Sequence, residues 1–189
     1  MYEMETFDTI DSTSAFARRN LSELPDRKII SADVQTAGHG QFERKWFSSN
    51  KNGGNCYISI VLKPENIEHL DELTKYSSLA VAKTLDAYGF EAKLKYPNDV
   101  LVNGKKIAGI LAESVFIGNT FRGVIVGIGV NLNLEAEELN MVNMVDIAAT
   151  SIYNETGENV DKNEFIARLL GNFFENYEEF LKNGIGKIK

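Results

Sequence analysis

Apolar positions along this chain follow two periods, and the points where the period changes outline the elements. Residues 2–8 are read as a short strand. Asp11-Ser12-Thr13 then offers side-chain oxygens to the free N–H groups of a first helical turn, so residues 13–21 are read as a short helix, with the connection ending at Pro25. Lys28–Gln35 is a β-rich run. A glycine-bearing loop follows through residue 48 and is extended by residues 50–55, where Gly53-Gly54 adds a second flexible point. Residues 56–62 predict a strand closed by Pro64. Across residues 65–88, Ile67, Leu70, Leu73, Leu79, Val81, Ala82 and Leu85 recur at three-to-four spacing, which predicts a helix with Gly89 as its C-terminal cap and His69 in its middle. Strands are read at 92–96 and 100–102, around Pro97-Asn98-Asp99. Asn103-Gly104 is a two-residue hairpin signal leading into 105–116, and Gly118-Asn119 turns that run into 121–132. Residues 135–140 are acidic and loop-like. Asp161-x-x-Glu164 is a variant capping box before a helix over 165–181, with Phe165, Leu169, Phe173, Tyr177 and Phe180 on one side and Gly184 and Gly186 ending the pattern. Successive hairpins imply an antiparallel or mixed sheet, and helices that do not strictly alternate with strands give an α+β class.

Composition narrows the setting. The 189 residues suit one domain with a sizeable core, and 43% hydrophobic with 25% charged residues is a globular composition. A net charge of −7 argues against bulk affinity for DNA, RNA or anionic membranes, while leaving room for a local basic site. No apolar run approaches the ~20 residues of a membrane span. The N-terminal residues lack the basic and apolar regions of a secretory signal, and a single cysteine, Cys56, excludes an internal disulfide framework. These features fit a cytoplasmic protein.

Residues 35–48 concentrate the candidate chemistry. They hold Gly38 and Gly40, the adjacent cations Arg44 and Lys45, and the sequence's one tryptophan, Trp46. Glycines let successive N–H groups face an anion, cations add charge beside them, and an indole can stack on a base. A surface loop anchored by its tryptophan is the plainer reading. Lys95-Tyr96-Pro97-Asn98-Asp99 and Lys105-Lys106-Ile107-Ala108-Gly109 would be brought together by the intervening hairpin, giving a lysine pair for phosphate or carboxylate and an asparagine for a base or ribose. An ordinary turn with a solvated basic edge is the plainer reading of these residues. Gly127-Ile128-Gly129-Val130-Asn131-Leu132-Asn133 is a strand whose glycines suit either a close ligand or a bend. Ser12-Thr13 is a helix cap by default and a polar-head ligand by alternative. His39 and His69 are the only histidines, and no zinc set with usual spacing can be assembled. Gly-x-Ser-x-Gly and the P-loop pattern are absent. A site of backbone N–H groups, Lys, Arg, Asn and an aromatic suits phosphoryl or nucleotidyl transfer by positioning and charge neutralisation, without an enzyme nucleophile.

With these segments in order, the chain resembles the catalytic domain of biotin protein ligases. The resemblance is carried by Asp11-Ser12-Thr13, Gln35-Thr36-Ala37-Gly38-x-Gly40 through Arg44-Lys45-Trp46-Phe47-Ser48, Lys95-Tyr96-Pro97-Asn98-Asp99, Lys106-Ile107-Ala108-Gly109-Ile110-Leu111-x-Glu113 and Gly127-Ile128-Gly129-Val130-Asn131. It implies a fold like that of class II aminoacyl-tRNA synthetases, a mixed sheet with helices packed on it. It implies ATP with Mg²⁺ and biotin as substrates, with no tightly bound cofactor and no metal-ligand set. Biotinyl-5′-AMP would form first, and biotin would then pass to a lysine of a biotin carboxyl carrier domain of a biotin-dependent carboxylase. On this sequence the resemblance places Ser12, Thr13, Ser14 and Gln35 on the biotin ring. Gly38, His39, Gly40 and Gln41 would wrap biotin and the adenylate, while Gly109, Gly127 and Gly129 would leave it room. Lys106 and Arg44 would be catalytic, Lys106 on the carboxylate and α-phosphate and Arg44 on the ATP phosphates. Trp46 would pack on adenine once the loop closes, with Asn98, Asn131 and Gln41 on the nucleotide side. A related lipoate or acyl-protein ligase and a catalytically impaired biotin-binding paralogue are the alternatives.

Departures from the family pattern gather in the loop. His39 and Gln41 stand where arginines are usual, Glu43 where a glycine is usual, Ser14 for an asparagine and Tyr96 for a tryptophan. A neutral Gln41 forgoes charge-assisted contacts worth ~1.5–3 kcal/mol each, which implies weaker retention of the adenylate. The family's N-terminal DNA-binding domain is not expected before residue 5, nor the small C-terminal β-barrel after the last helix, so residues 1–189 are read as a single catalytic domain with no DNA or membrane partner. Homodimers joined through sheet edges are common in the family, and 121–132 is the candidate edge strand.

Overall fold

The structure, a computed structural model, describes residues 2–40, 45–49, 53–141 and 147–188. Its elements run β1 (Glu3–Ile10), α1 (Thr13–Arg19), β2 (Lys28–Gln35), β3 (Asn55–Leu62), α2 (Leu73–Asp86), β4 (Lys93–Lys95), β5 (Asp99–Val102), β6 (Lys105–Ile117), β7 (Thr120–Asn131), α3 (Ala136–Asn140), α4 (Ile152–Thr156), α5 (Lys162–Glu175) and α6 (Tyr177–Asn183). Among the described residues the strands form one seven-stranded sheet in the order β1-β2-β3-β7-β6-β5-β4. β1 and β2 are parallel and every other pairing is antiparallel, so the sheet is mixed, as the hairpin signals predict.

Local chemistry accounts for most of these boundaries. Ser12 caps α1 by accepting from the Ala15 N–H. Asn103 and Gly104 both take positive φ, 52° and 76°, the geometry a tight β5–β6 hairpin requires. Asp161 accepts from the Glu164 N–H at 2.8 Å and opens α5.

Three helical expectations are corrected. The helix predicted over 65–88 starts only at Leu73, after a single 3-10 turn at Leu70–Glu72. Asn66 accepts from the Glu68 N–H and so offers the backbone a turn in competition with the helix, and His69 lies before that turn, not inside a helix. The acidic stretch read as a loop contains α3, capped reciprocally by Glu135 and Glu138. The helix over 165–181 breaks at Asn176 into α5 and α6, with no proline or glycine to announce it.

The sheet buries its two faces differently. Ile58, Ile60, Val126, Ile128 and Val130 join residues of α2, α5 and α6 in the larger core. There Tyr76 stacks on Phe180 at 4.4 Å between ring centroids and meets Phe173 edge-on. On the opposite face, Ile30, Val61 and Ile125 pack beneath Ala17 of α1 and Leu21 and Leu24 beyond it. Side chains alternate along a strand, so Gly127 and Gly129 of β7 share this second face with Ile125. β7 is not an edge strand, contrary to the reading of 121–132. It lies between β3 and β6, and the sheet ends at β1 and β4.

Candidate active site

The α1 face of the sheet gathers the polar groups. Gln35, at the end of β2, accepts through Oε1 from the Thr13 N–H at 2.8 Å and from the Thr13 hydroxyl at 3.2 Å. The Ser59 hydroxyl of β3 donates to Thr13 Oγ1 at 2.8 Å and lies 2.9 Å from Ser14 Oγ. Ser12, Thr13 and Ser59 are buried. One hydrogen-bonded chain, the Gln35 amide oxygen followed by the hydroxyls of Thr13, Ser59 and Ser14, therefore runs from β2 through the first turn of α1 to β3, in a dry setting where each bond holds the next in place. Outside it, Asp11 anchors the helix start by accepting from both guanidinium nitrogens of Arg19, at 2.6 and 3.0 Å, and this partner holds its carboxyl below the usual range.

Lys106 reaches this face through an irregularity. Val100 pairs with Ala108 and Leu101 with Lys106, which leaves Ile107 as the extra residue of a bulge. In a regular strand Lys106 and Gly109, three apart, would point to opposite faces. With the bulge they share one: a Cβ on Gly109 would lie 3.4 Å from Lys106 Cε. Lys106 Nζ is 2.6 Å from Asp99 Oδ1, and both side chains are mostly buried. The strand is held from outside, since the Lys106 N–H donates to the Ala148 carbonyl and the Thr150 N–H to the Lys106 carbonyl, each at 2.8 Å. Glu155 secures that outer segment through the Thr150 hydroxyl and Lys105 Nζ. Burial works to raise its pKa, but these hydrogen bonds, one from Asn103 and the Lys105 charge bring it below the ordinary value.

The described residues of the glycine loop meet the same face through Gly38, Trp46 and Ser48. The Trp46 N–H donates to the Gly38 carbonyl at 2.9 Å, His39 and Lys45 form an isolated antiparallel bridge, and Ser48 Oγ accepts from the Gln35 N–H. Arg44, expected at the ATP phosphates, Gln41, expected around biotin and the adenylate, and Glu43 lie outside the described residues. The Trp46 indole lies over Gly109 and Gly129. A Cβ on Gly109 would come within 2.6 Å of its Cζ3, and one on Gly129 within 2.7 Å of its Cε2. A Cβ on Gly127 would meet Ser14 Oγ at 2.6 Å. The room expected above these glycines is thus filled by Trp46 and Ser14. Lys106 Nζ lies 5.2 Å from the centroid of the Trp46 ring.

The remaining predicted residues are placed as follows. Asn131 is buried, its amide donating to the Thr150 carbonyl and its carbonyl oxygen accepting from Asn55, so both ends hold β7 to its neighbours. Asn98 ties the site's far side through its carbonyl, which accepts from the Ile110 N–H at 2.9 Å. Asn133, which alternation puts on Asn131's face, bonds Gly53 and Val160. Two groups were given no role from sequence. Asp99 was legible only as the residue opposite Lys106 across a hairpin. Ser59, the one serine in the apolar run 56–62, was read only as part of a strand. Cys56 belongs to the core on the other face, where burial pushes its thiol up to about 12 and leaves it inert.

A model of the Biotin/lipoate A/B protein ligase family matches residues 6–131. Over 185 residues the chain is 34% identical to the bifunctional ligase/repressor BirA of Bacillus spizizenii, covering 96% of this chain and 56% of that protein. It is 38% identical over 160 residues to a biotin–[acetyl-CoA-carboxylase] ligase of Paracoccus denitrificans, covering 82% of this chain and 65% of the relative. The chain therefore spans 56% and 65% of the length of these two relatives. Among solved structures, the biotin protein ligase of Aquifex aeolicus in complex with biotin and ATP superposes with a TM-score of 0.79 at 29% identity, covering 97% of this chain and 73% of that one.

Proposed function

The chain belongs to the biotin/lipoate A/B protein ligase family, and on that premise we propose that it is the catalytic domain of an ATP-dependent biotin protein ligase. The observation that carries this reading is the Ile107 bulge, which brings Lys106 onto the face shared by Gly109, Gly129 and the Gln35–Thr13–Ser59 chain. A buried set of donors and acceptors at one end suits the polar ureido ring of biotin. A mostly buried ammonium at the other suits its carboxylate.

In the first step a carboxylate oxygen attacks the α-phosphorus of ATP and pyrophosphate leaves. Two anions must approach, and Lys106 Nζ lowers that barrier by exchanging its Asp99 partner for the charge that develops between them. Mg²⁺ enters with the nucleotide phosphates. Among the described residues no group of three or more His, Cys, Asp or Glu could hold it alone. In the second step the neutral amine of a carrier-domain lysine attacks the acyl carbon, the anhydride C–O bond breaks, and AMP leaves. No protein nucleophile is needed, in keeping with an inert Cys56. The acceptor is a biotin carboxyl carrier domain. The setting is the cytoplasm, and no described helix is long and apolar enough to cross a membrane. A homodimer would join through β1 or β4, the outermost strands of the sheet among the described residues.

The test is incubation with ATP, Mg²⁺, radiolabelled biotin and a carboxyl carrier domain. Biotin-dependent pyrophosphate release with label on the carrier lysine is the expected result. Release with lipoate and none with biotin would overturn the assignment.

A further inference from the structure

We infer that Trp46 is a built-in competitor for the biotin seat: the chain fills the Gly109–Gly129 surface with its own indole, and biotin binds by evicting it. The inference rests on the ligase reading above. Three observations carry it.

The first is fit. Gly109 and Gly129 pair across β6 and β7. The indole lies so close to both that a Cβ on either would fall within 2.6–2.7 Å of a ring carbon. Both glycines face the hydroxyl chain and Lys106, so ring and ligand need the same surface.

The second is that the seat is imperfect for an indole. Trp46 Nε1 is buried and finds no hydrogen-bond acceptor among the described residues. An indole N–H is a donor only, and leaving it unpaired out of water weakens the packing that holds the ring. The ring is therefore held by contact and can be exchanged for a ligand that satisfies its polar groups.

The third is the coupling to Lys106. Its ammonium lies 5.2 Å from the Trp46 ring centroid and 2.6 Å from Asp99. While the indole is seated, the lysine has an anion and an aromatic face as partners. Eviction removes the aromatic face and leaves the lysine to a carboxylate arriving in its place. Trp46 thereby sets biotin affinity, because a ligand binds only the fraction of molecules whose seat is clear.

Trp46 is the sole tryptophan of the chain, so intrinsic emission reports this residue alone. The experiment measures acrylamide quenching of the full chain with and without biotin, in the absence of ATP, beside equilibrium dialysis of radiolabelled biotin. Eviction makes the indole more accessible, so biotin is expected to increase quenching and shift emission to the red. A Trp46→Ala chain is expected to bind biotin about tenfold tighter, the factor for a seat filled in about nine molecules of ten. Biotin retained on dialysis with quenching unchanged or reduced would overturn the inference and spare the ligase assignment, since a ring that closes over biotin becomes less accessible. Biotin affinity unchanged or weakened in Trp46→Ala would overturn it equally. No biotin bound by either chain would overturn the ligase assignment and this inference with it.

Discussion

Lys106 and Asp99 show how one side chain's partner sets its use. The pair is only partly solvated, so Lys106 stays ordered at the edge of the glycine seat instead of sweeping through solvent. Lys106→Ala should lower biotin-dependent pyrophosphate exchange by at least about 100-fold, the scale of losing one preorganised charge contact. Near-normal exchange would remove Lys106 from the chemistry. Ser59 is the quieter member of the site. Its hydroxyl is fully buried and holds Thr13 and Ser14 together, so Ser59→Ala should destabilise the fold by ~1–2 kcal/mol and raise the KM for biotin more than it lowers kcat. Urea melts and steady-state kinetics read the two effects separately. At Gln41, restoring an arginine should slow dissociation of the adenylate and reduce biotin found on bystander amines, and unchanged values for both would dismiss that position.

At the scale of elements, the legible features were those with a local cause. The Ser12 and Asp161 caps and the Asn103-Gly104 turn each rest on a side chain or φ preference readable in a few residues. Asp161→Ala should cost about 1 kcal/mol, measured as a lower Tm. The features that escaped depend on distant partners. Nothing local in Lys105-Lys106-Ile107-Ala108 signals a bulge, because the extra residue exists only relative to β5. The break at Asn176 is equally silent, since Phe173 before it and Tyr177 and Phe180 after it remain buried. Glu155 belongs to this scale too, because it ties α4 to the β5–β6 hairpin. Its folded pKa lies below the unfolded value, so its contribution is present above the unfolded pKa near 4.5 and is lost as pH falls through the folded one. The stability gap between the wild-type chain and Glu155→Gln should therefore be widest near neutrality and close in acid. A gap independent of pH would show that its charge is not what matters.

For the molecule as a whole, the asymmetry of the sheet is what makes a site. One face is sealed by α2, α5 and α6 around Tyr76, Phe173 and Phe180, and it carries the stability. Phe173→Ala there should cost ~3–5 kcal/mol while leaving the polar groups of the other face in place at low temperature. The second face is covered by the short α1 and the glycine loop, so ligand exchange there need not disturb the main core. The interior place of β7 follows from its pairing with both β3 and β6. Its position in the chain could not reveal that, since strand order is decided by which edges remain free after each hairpin closes.

Residue identity and spacing were enough for the α+β class, most strand positions and the family. Caps, turns and alternation are short-range, and five ordered blocks leave few alternatives. The seating of Trp46 on Gly109 and Gly129, the turning of Lys106 onto their face and the pairing of Lys106 with Asp99 were decided only in three dimensions. Each depends on the register between strands, and a one-residue change of register moves every side chain to the other side of the sheet.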